Sequence, residues 1–316
     1  MPGAASGEST EPLFVGVDGG GSGCRARIAD AAGHTLGGGH SVPAAVRLGI
    51  ERALAAVFAA ARAALADAGL PLDALSRMHA VVGLAGIGRK SVLGQLEARS
   101  HPFRSVAFVN DATIACLGAH GGHDGGIVII GTGSVALAHK DGHEFRVGGY
   151  GFPVSDEGSG ADLGLRAVRW SLRTCDGRLA PTDLTRSVMG RFGNDAFEVV
   201  AWADHATATD YAHFAPLVMD HAESGDRVAR EIVTNAAREI DSLARRLVAR
   251  GVSRIALVGG VAPRMQGWLA DDVQRVLVPA QGDGVAGALI LARSCADGKP
   301  EPPSNVCDRA AALVQP

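Results

Sequence analysis

Asp18 and the glycines that follow it are the first residues of this chain whose types and spacing could do chemistry. Phe14–Val17 is a β-prone run, and the loop Asp18–Ser22 follows it directly. Glycines can take left-handed backbone conformations and let N–H groups approach an anion closely, so the loop predicts a phosphate site. A carboxylate there would act through Mg²⁺ and its waters. An ordinary glycine-rich hairpin turn gives the same pattern.

Two later loops repeat the arrangement of a strand followed by glycines. Gly131–Ser134 follows the apolar run 126–130, and Gly259–Val261 follows the run 255–258. Three such loops, two of them in similar strand–loop–strand units, predict a nucleotide held between two domains. No GxxxxGK[ST] motif and no GxGxxG after a strand occurs, which argues against P-loop and Rossmann nucleotide binding.

Acidic residues stand at two further places that could serve a reaction. Asp111 lies just beyond the carboxyl end of the predicted strand 105–109. It could accept a hydroxyl proton during phosphoryl transfer, or it could cap the helix that starts at Ala112. Asp156–Glu157 follows the glycine loop 149–151 and could accept hydrogen bonds from sugar hydroxyl groups. The alternative for this pair is a favourable position at a helix N-terminus.

The composition of the chain argues against several classes of function. A chain of 316 residues with 47% hydrophobic and 20% charged residues predicts two soluble domains, and a net charge of −3 argues against nucleic-acid or membrane partners. The five cysteines form no CxxC, and the HxxH at His120 and His123 has no third ligand nearby, so no metal centre of the zinc type is expected. The sequence shows no signal peptide and no apolar run of about 18 residues, so we expect a cytoplasmic protein.

The elements that must position these residues form a mixed α/β order. Two hairpin strands precede an amphipathic helix at 51–68, with a turn expected at Gly37–His40, and strands then alternate with helices. Further helices are predicted at 89–99, 112–118, 160–172, 210–222, 226–250 and 284–294. The predicted domains are 13–118 and 119–296, with disordered tails at 1–12 and 297–316.

Seven segments resemble one family: GVDGGGSGCRARI, GLAGIG, NDATIA, GTGS, GGYGFPVSDEGSGADLGLRA, LVGGVA and DGVAGALILA. They are similar to the N-acetylglucosamine and glucosamine kinase group of the BadF/BadG/BcrA/BcrD-type ATPases, within the sugar kinase, Hsp70 and actin superfamily. The resemblance covers residues 13–294. It implies two similar ribonuclease-H-like (actin-like ATPase) domains with a nucleotide and sugar cleft between them, and a last helix that packs back on the first domain.

The resemblance also implies an activity and a set of ligands. It implies ATP-dependent phosphorylation of glucosamine or N-acetylglucosamine at the 6-hydroxyl, with Asp111 as general base and Mg²⁺ held by Asp18 through water. A homodimer is compatible with it. The ATP and phosphate ligands would be Asp18, Gly19, Gly20, Gly21, Ser22, Gly131, Thr132, Gly133, Gly259 and Gly260. The sugar ligands would be Asp111, Ser134, Gly149, Tyr150, Gly151, Asp156 and Glu157.

The sequence departs from the related kinases at two positions, and the second of them, Ala45, leaves the identity of the amino sugar open. Tyr150 stands where the related kinases have Trp, and Ala45 stands where they usually place an Asn that contacts the sugar. Three alternative functions remain. A ROK sugar kinase would need a Cys-rich zinc motif, and an activator of 2-hydroxyacyl-CoA dehydratases would need cysteines for an iron–sulfur cluster. A nucleotide-dependent binding protein would need no sugar pocket, which the GGYG and DEGS segments argue against.

Overall fold

The computed structural model describes residues 11–88 and 90–296, in two compact units. The strands are β1 Leu13–Gly19, β2 Cys24–Ala29, β3 Thr35–Ser41, β4 Met78–Leu84, β5 Ser105–Asn110, β6 Gly125–Ile130, β7 Ser134–Lys140, β8 His143–Gly148 and β9 Ile255–Val258. The α-helices are α1 Ile50–Asp67, α2 Lys90–Glu97, α3 Asp111–Ala119, α4 Gly160–Cys175, α5 Asp183–Gly190, α6 Ala196–Ala203, α7 Ala208–Ala212, α8 Ala215–Glu223, α9 Arg227–Val248, α10 Ala262–Met265, α11 Asp271–Gln274 and α12 Gly284–Ala296.

The tails predicted at 1–12 and 297–316 lie outside the described residues, except for residues 11 and 12. Across the part of the chain that is described, no helix has both the length and the apolar character that a membrane span requires.

The first unit holds the described residues up to His123 together with those from Gln281 onward. Its five-stranded sheet has the order β3-β2-β1-β4-β5, antiparallel from β3 to β1 and parallel from β1 to β5. Both faces are covered. Val15 and Val17 lie in the apolar cluster formed with α1, whereas Phe14 lies in the cluster formed with α3 and α12. This alternation is what a strand buried on both faces requires.

The expectation of a turn at Gly37–His40 is wrong, because these residues belong to strand β3. Its glycines are explained by how closely α1 crosses the strand. A Cβ on Gly37 would lie 2.5 Å from the Ala64 carbonyl oxygen, and one on Gly39 would overlap the Ala60 carbonyl. Glycine therefore serves close helix–sheet packing here, and a glycine run read as a turn conceals a strand.

The second unit, Asp124–Ala280, contains a four-stranded sheet with the order β8-β7-β6-β9. Strands β8, β7 and β6 are antiparallel neighbours, and β6 pairs with β9 in parallel. The helix predicted at 226–250 is confirmed as α9, where the Asp226 carboxylate caps the N–H groups of Val228 and Ala229 at 2.9 and 3.0 Å.

The helical part of the second unit differs from the sequence prediction. The single helix predicted at 210–222 is two helices, α7 and α8, which break at Phe214 before a proline in the first turn of α8. Helices α5 and α6 were not predicted, since each has only eight residues. They are held by tertiary contacts such as the ring pairs that Trp202 makes with Phe192 and Tyr211, with centroids 5.3 and 4.8 Å apart.

The crossing of β3 and α1 predicts that Gly39→Ala destabilises the first unit. The new Cβ would overlap main-chain atoms of α1, and overpacking of this kind costs about 1–3 kcal/mol. The matched control is Gly38→Ala on the opposite face of β3, where the nearest atom to a Cβ is the Ala26 oxygen at 3.9 Å. Chemical denaturation should show a lower free energy of unfolding for Gly39→Ala and little change for Gly38→Ala. Equal stability of the two variants would contradict this account of β3.

Candidate active site

The parallel strands of the first unit end at one edge of its sheet. Gly19 of β1 pairs with Leu84 of β4, and Leu84 pairs with Asn110 of β5. The loop Asp18–Ser22 and the carboxylate of Asp111 therefore emerge from the same edge. The carboxyl edge of such a sheet is where open α/β proteins bind their ligands.

The glycines of the first loop are explained by the space around them and not by left-handed backbone conformations. None of Gly19, Gly20 and Gly21 has a positive φ, which corrects one reason given for their presence. A Cβ on Gly19 would lie 2.6 Å from Leu84 Cδ2 and 3.0 Å from Ala44 Cβ, so Gly19 is required by packing. Gly20 and Gly21 are different, because a Cβ on either would meet its nearest neighbour only at 3.8 and 3.4 Å. This part of the loop has room for a ligand to approach, and the Gly20 N–H itself donates to the Gly23 oxygen at 2.9 Å.

Asp18 belongs to a cluster of charges that the sequence analysis did not predict. Arg25 Nη2 lies 2.6 Å from Asp18 Oδ2, and this hydrogen bond raises the pKa of Arg25. The carboxylate of Asp283 lies 3.4 Å from both Arg25 and Arg27. The signal was present in the sequence, because Arg25 and Arg27 alternate along β2 and so share a face, and Arg25 stands opposite Asp18 in the antiparallel pair.

The carboxylates of this cluster fit a magnesium ion held together with phosphate. The Asp18 side chain is 21% exposed. Gly284, the first residue of α12, follows Asp283 directly, and a Cβ on Gly284 would lie 3.0 Å from Asp18 Oδ2. The start of α12 therefore lies against the Asp18 carboxylate. Among the described residues no group of three or more His, Cys, Asp or Glu side chains could hold a metal ion by itself. Mg²⁺ characteristically takes only one or two carboxylates and completes its shell with water and phosphate oxygens.

Asp111 is the first residue of α3, and the helix cap is provided by its neighbour. The Asn110 side chain accepts from the N–H of Ala112 at 2.9 Å and has the extended backbone of an N-cap residue. The helix therefore begins at Asp111 and not at Ala112, with Asn110 at the N-cap position, and Asp111 Oδ1 also accepts from the Ala112 N–H at 3.0 Å. Gly83 lets α3 pack closely on β4, since a Cβ there would overlap the Ile114 side chain.

Ala45 lies beside the first loop. The segment is fixed by main-chain bonds from Ala44 to Gly20 and from Val46 to Ala85, at 3.1 and 3.0 Å. Ala45 itself is 2% exposed. Arg47, three residues beyond Ala44, brings its guanidinium near Gly21, which places a cation next to the loop and was not anticipated.

In the second unit two glycine loops meet at the carboxyl ends of β6 and β9. The N–H of Val261 donates to the Ile130 oxygen at 2.9 Å, and a Cβ on Gly259 would lie 2.5 Å from that same oxygen. Gly259 has a φ of 103°, which a side chain rarely tolerates. Gly131 and Gly260 have no heavy atom within 4 Å of a Cβ position, so both face open space.

The Gly131–Ser134 loop is tied to helix α4 and to the segment before it. The carbonyls of Gly131 and Thr132 accept from the N–H groups of Gly160 and Ala161 at 2.8 and 3.1 Å. Ser134, predicted to bind substrate, is buried, and its hydroxyl donates to the main-chain oxygen of Glu157 at 2.7 Å. In this structure its hydroxyl joins the Gly131–Ser134 loop to the acidic segment Asp156–Glu157.

Asp156 joins the same two loops through its carboxylate. It accepts from the N–H of Gly151 at 3.1 Å, and it lies so close to Gly133 that a Cβ there would overlap it. Asp156 has a φ of 70°, an uncommon conformation for a residue with a side chain, and such strain occurs most often at functional sites. Partial burial raises the pKa of Asp156, and the hydrogen bond from Gly151 opposes this.

Tyr150 and Glu157 are exposed on the same segment, Tyr150 to 79%. A small cavity of about 50 Å³ is lined by Ser134, Gly148, Gly149 and Glu157 together with residues of α9. That volume suits a few water molecules rather than a sugar ring. The structure thus brings the predicted sugar ligands of the second unit together at one loop, and the cavity lies beside it.

Comparison with known proteins finds amino-sugar kinases among the relatives of this chain. Glucosamine kinase GspK of Vibrio cholerae is 41% identical over 288 residues, which cover 91% of this chain and 96% of that protein. The N-acetylmuramic acid/N-acetylglucosamine kinase of Clostridium acetobutylicum is 29% identical over 238 residues, 68% of this chain and 77% of that protein.

Solved structures confirm the predicted two-domain, ribonuclease-H-like α/β fold. A crystal structure from Chromobacterium violaceum assigned as an N-acetylglucosamine kinase has a TM-score of 0.85 and 35% identity, covering 90% of this chain and 99% of that one. A ROK family glucokinase from Streptomyces griseus in complex with glucose and AMPPNP, at 19% identity and a TM-score of 0.54, shares the fold alone. The family model for the BadF/BadG/BcrA/BcrD ATPases matches residues 15–292, and this chain belongs to that family.

Proposed function

We propose that this protein transfers the γ-phosphoryl group of ATP to the 6-hydroxyl of an amino sugar, glucosamine or N-acetylglucosamine. The observation that carries the proposal is the position of Asp111 in a chain 41% identical to a glucosamine kinase. Asp111 follows the carboxyl end of β5, and the N-cap position of the helix that it begins belongs to Asn110. Phosphoryl transfer needs a group that orients the attacking hydroxyl and accepts its proton, and a carboxylate at this place suits that role.

The other residues support the same reaction. The N–H group of Gly21 would bind a phosphate oxygen with Arg47 nearby, in a loop that the hydrogen bond from the Gly20 N–H to the Gly23 oxygen closes at 2.9 Å. Asp18 would hold Mg²⁺ through water. The ion would neutralise charge that develops on the phosphates. In the second unit, Gly131–Gly133 would bind phosphate and Gly259–Gly260 would lie at the adenosine.

Asp156 would bind the sugar. An ionised carboxylate can accept hydrogen bonds from two neighbouring hydroxyl groups, and Asp156 is already oriented by the Gly151 N–H. Glu157 and the Gly149–Gly151 segment would complete the sugar side. Ser134 would act by fastening this segment, since its hydroxyl is donated to Glu157.

The direct test is ADP release by the purified chain with MgATP and a panel of hexoses and hexosamines. We expect turnover that depends strongly on glucosamine or N-acetylglucosamine and weakly on glucose. The phosphorylated product, analysed by NMR, should carry phosphate on the oxygen at carbon 6. ADP release that no sugar stimulates would instead favour an ATPase activator or a nucleotide-dependent binding protein.

Asp111→Asn should lower kcat by about 10²–10⁴, the usual worth of a general base, with a much smaller effect on the KM for sugar. Its free energy of unfolding should stay near that of the wild type, because Asn110 keeps the cap. The matched variant is Asn110→Ala, which should lose about 1 kcal/mol of stability with its cap. Steady-state kinetics and denaturation of both variants check this. Wild-type turnover in Asp111→Asn would exclude it as the base.

Gly20→Ala should raise the KM for MgATP several-fold without unfolding the protein. A Cβ at Gly20 has room in the free loop but would stand in the way of a phosphate that approaches the backbone. The control is Gly94→Ala on α2, where a Cβ meets nothing within 4 Å. If both variants bind MgATP like the wild type, the loop is a structural turn.

A further inference from the structure

Arg146, near the end of strand β8, contacts three successive residues of the predicted sugar-binding loop. Its Nε donates to the Gly148 oxygen at 3.2 Å, and its Nη2 donates to the Gly149 oxygen. Its guanidinium carbon lies 5.8 Å from the centre of the Tyr150 ring. One side chain therefore binds two consecutive carbonyls and the aromatic ring that follows them.

The loop needs such a contact because its own sequence gives it little order. Gly148, Gly149 and Gly151 have φ values of 70°, 72° and 107°, and glycine loses more conformational entropy on ordering than any other residue. Phe152 is held by apolar packing, with its ring centroid 5.2 Å from that of Tyr211. Tyr150 is 79% exposed, so such packing does little to fix the Gly148–Tyr150 part of the loop. A planar group with several fixed donors can hold such a backbone.

The charge of Arg146 also acts on Asp156. Burial raises the pKa of Asp156 and the nearby Glu157 carboxylate raises it further, whereas the positive charge of Arg146 lowers it. Arg146 thus favours the ionised form of the carboxylate at the end of the same loop.

We propose that Arg146 is a positioning residue for sugar binding, which fixes the Gly148–Tyr150 backbone and the Tyr150 ring in the conformation that receives the amino sugar. This inference rests on the function proposed above. The guanidinium acts through the loop and does not touch the reacting atoms. Lysine cannot replace it, because an ammonium group has no planar fork and stacks poorly on a ring.

Two substitutions separate the fork from the charge. Arg146→Lys keeps the charge and loses the paired donors, whereas Arg146→Gln loses the charge as well. The control is Arg186→Lys, an exposed arginine on α5 that pairs only locally with Asp183, at 2.7 Å. All are assayed as full chains with glucosamine and with N-acetylglucosamine across a pH series, and their thermal midpoints are measured.

We expect Arg146→Lys to raise the KM for sugar roughly three- to tenfold, as the loss of one hydrogen bond would. Its kcat, its KM for MgATP and its thermal midpoint should stay within the range of the Arg186→Lys control. The acidic limb of kcat/KM for sugar should stay in place for Arg146→Lys and move to higher pH for Arg146→Gln. This follows because a carboxylate that loses a neighbouring positive charge holds its proton to higher pH.

Unchanged sugar KM values in both variants would overturn the role of Arg146 while leaving the kinase function intact, since the wild type would still turn over. Equal losses for sugar and MgATP, or a lowered thermal midpoint, would overturn it too, because they indicate a general structural role. A wild-type chain with no sugar-dependent turnover would overturn both proposals together.

Discussion

Parallel strand pairing is the constraint on which the arrangement of the candidate site depends. Because β1, β4 and β5 run in the same direction, their carboxyl ends reach one edge, and the chain must leave that edge through loops. Residues as far apart in sequence as Asp18 and Asp111 therefore emerge from the same edge of a single sheet, with β4 between their strands. The pairing of β6 with β9 does the same for Gly131 and Gly259 in the second unit. In each unit the backbone hydrogen bonds between parallel strands are therefore enough to bring these residues to one edge of the sheet.

Much of this could be predicted from the sequence because strand periodicity and terminal glycines are local signals. Strand β9 was predicted with its observed limits, and α1 and α9 within two residues. Strand β3 was missed because the reason for its glycines lies in α1, more than twenty residues later in the chain. The break at Phe214 was missed because the aromatic cluster that supports it is tertiary.

The candidate site shows the same division between local and distant information. The glycine loops, Asp111 and Asp156 were recognisable from motifs, whereas Asp283 and its link to Arg25 were not, since 258 positions separate the two residues. The ion pairs are partly exposed, so each contributes little to stability, about 0–1 kcal/mol. Their importance is that they fix where the Asp18 carboxylate points before any ligand arrives. Asp156 was expected from its motif, but its contact with Gly133 required the fold.

The backbone conformation of Asp156 lowers the stability of the folded chain. A residue with a side chain in the left-handed region is disfavoured by about 1–2 kcal/mol relative to glycine. The raised pKa adds to this, because the folded state holds the proton more tightly than the unfolded chain does. Stability therefore falls as the pH rises from the ordinary pKa of an aspartate through the raised pKa of Asp156, and the deficit persists at neutral pH. Asparagine or glycine at this position would lower the stability of the folded chain less than aspartate does. Asp156 therefore opposes folding. It is held in place by the hydrogen bond from the Gly151 N–H and by the close approach of Gly133.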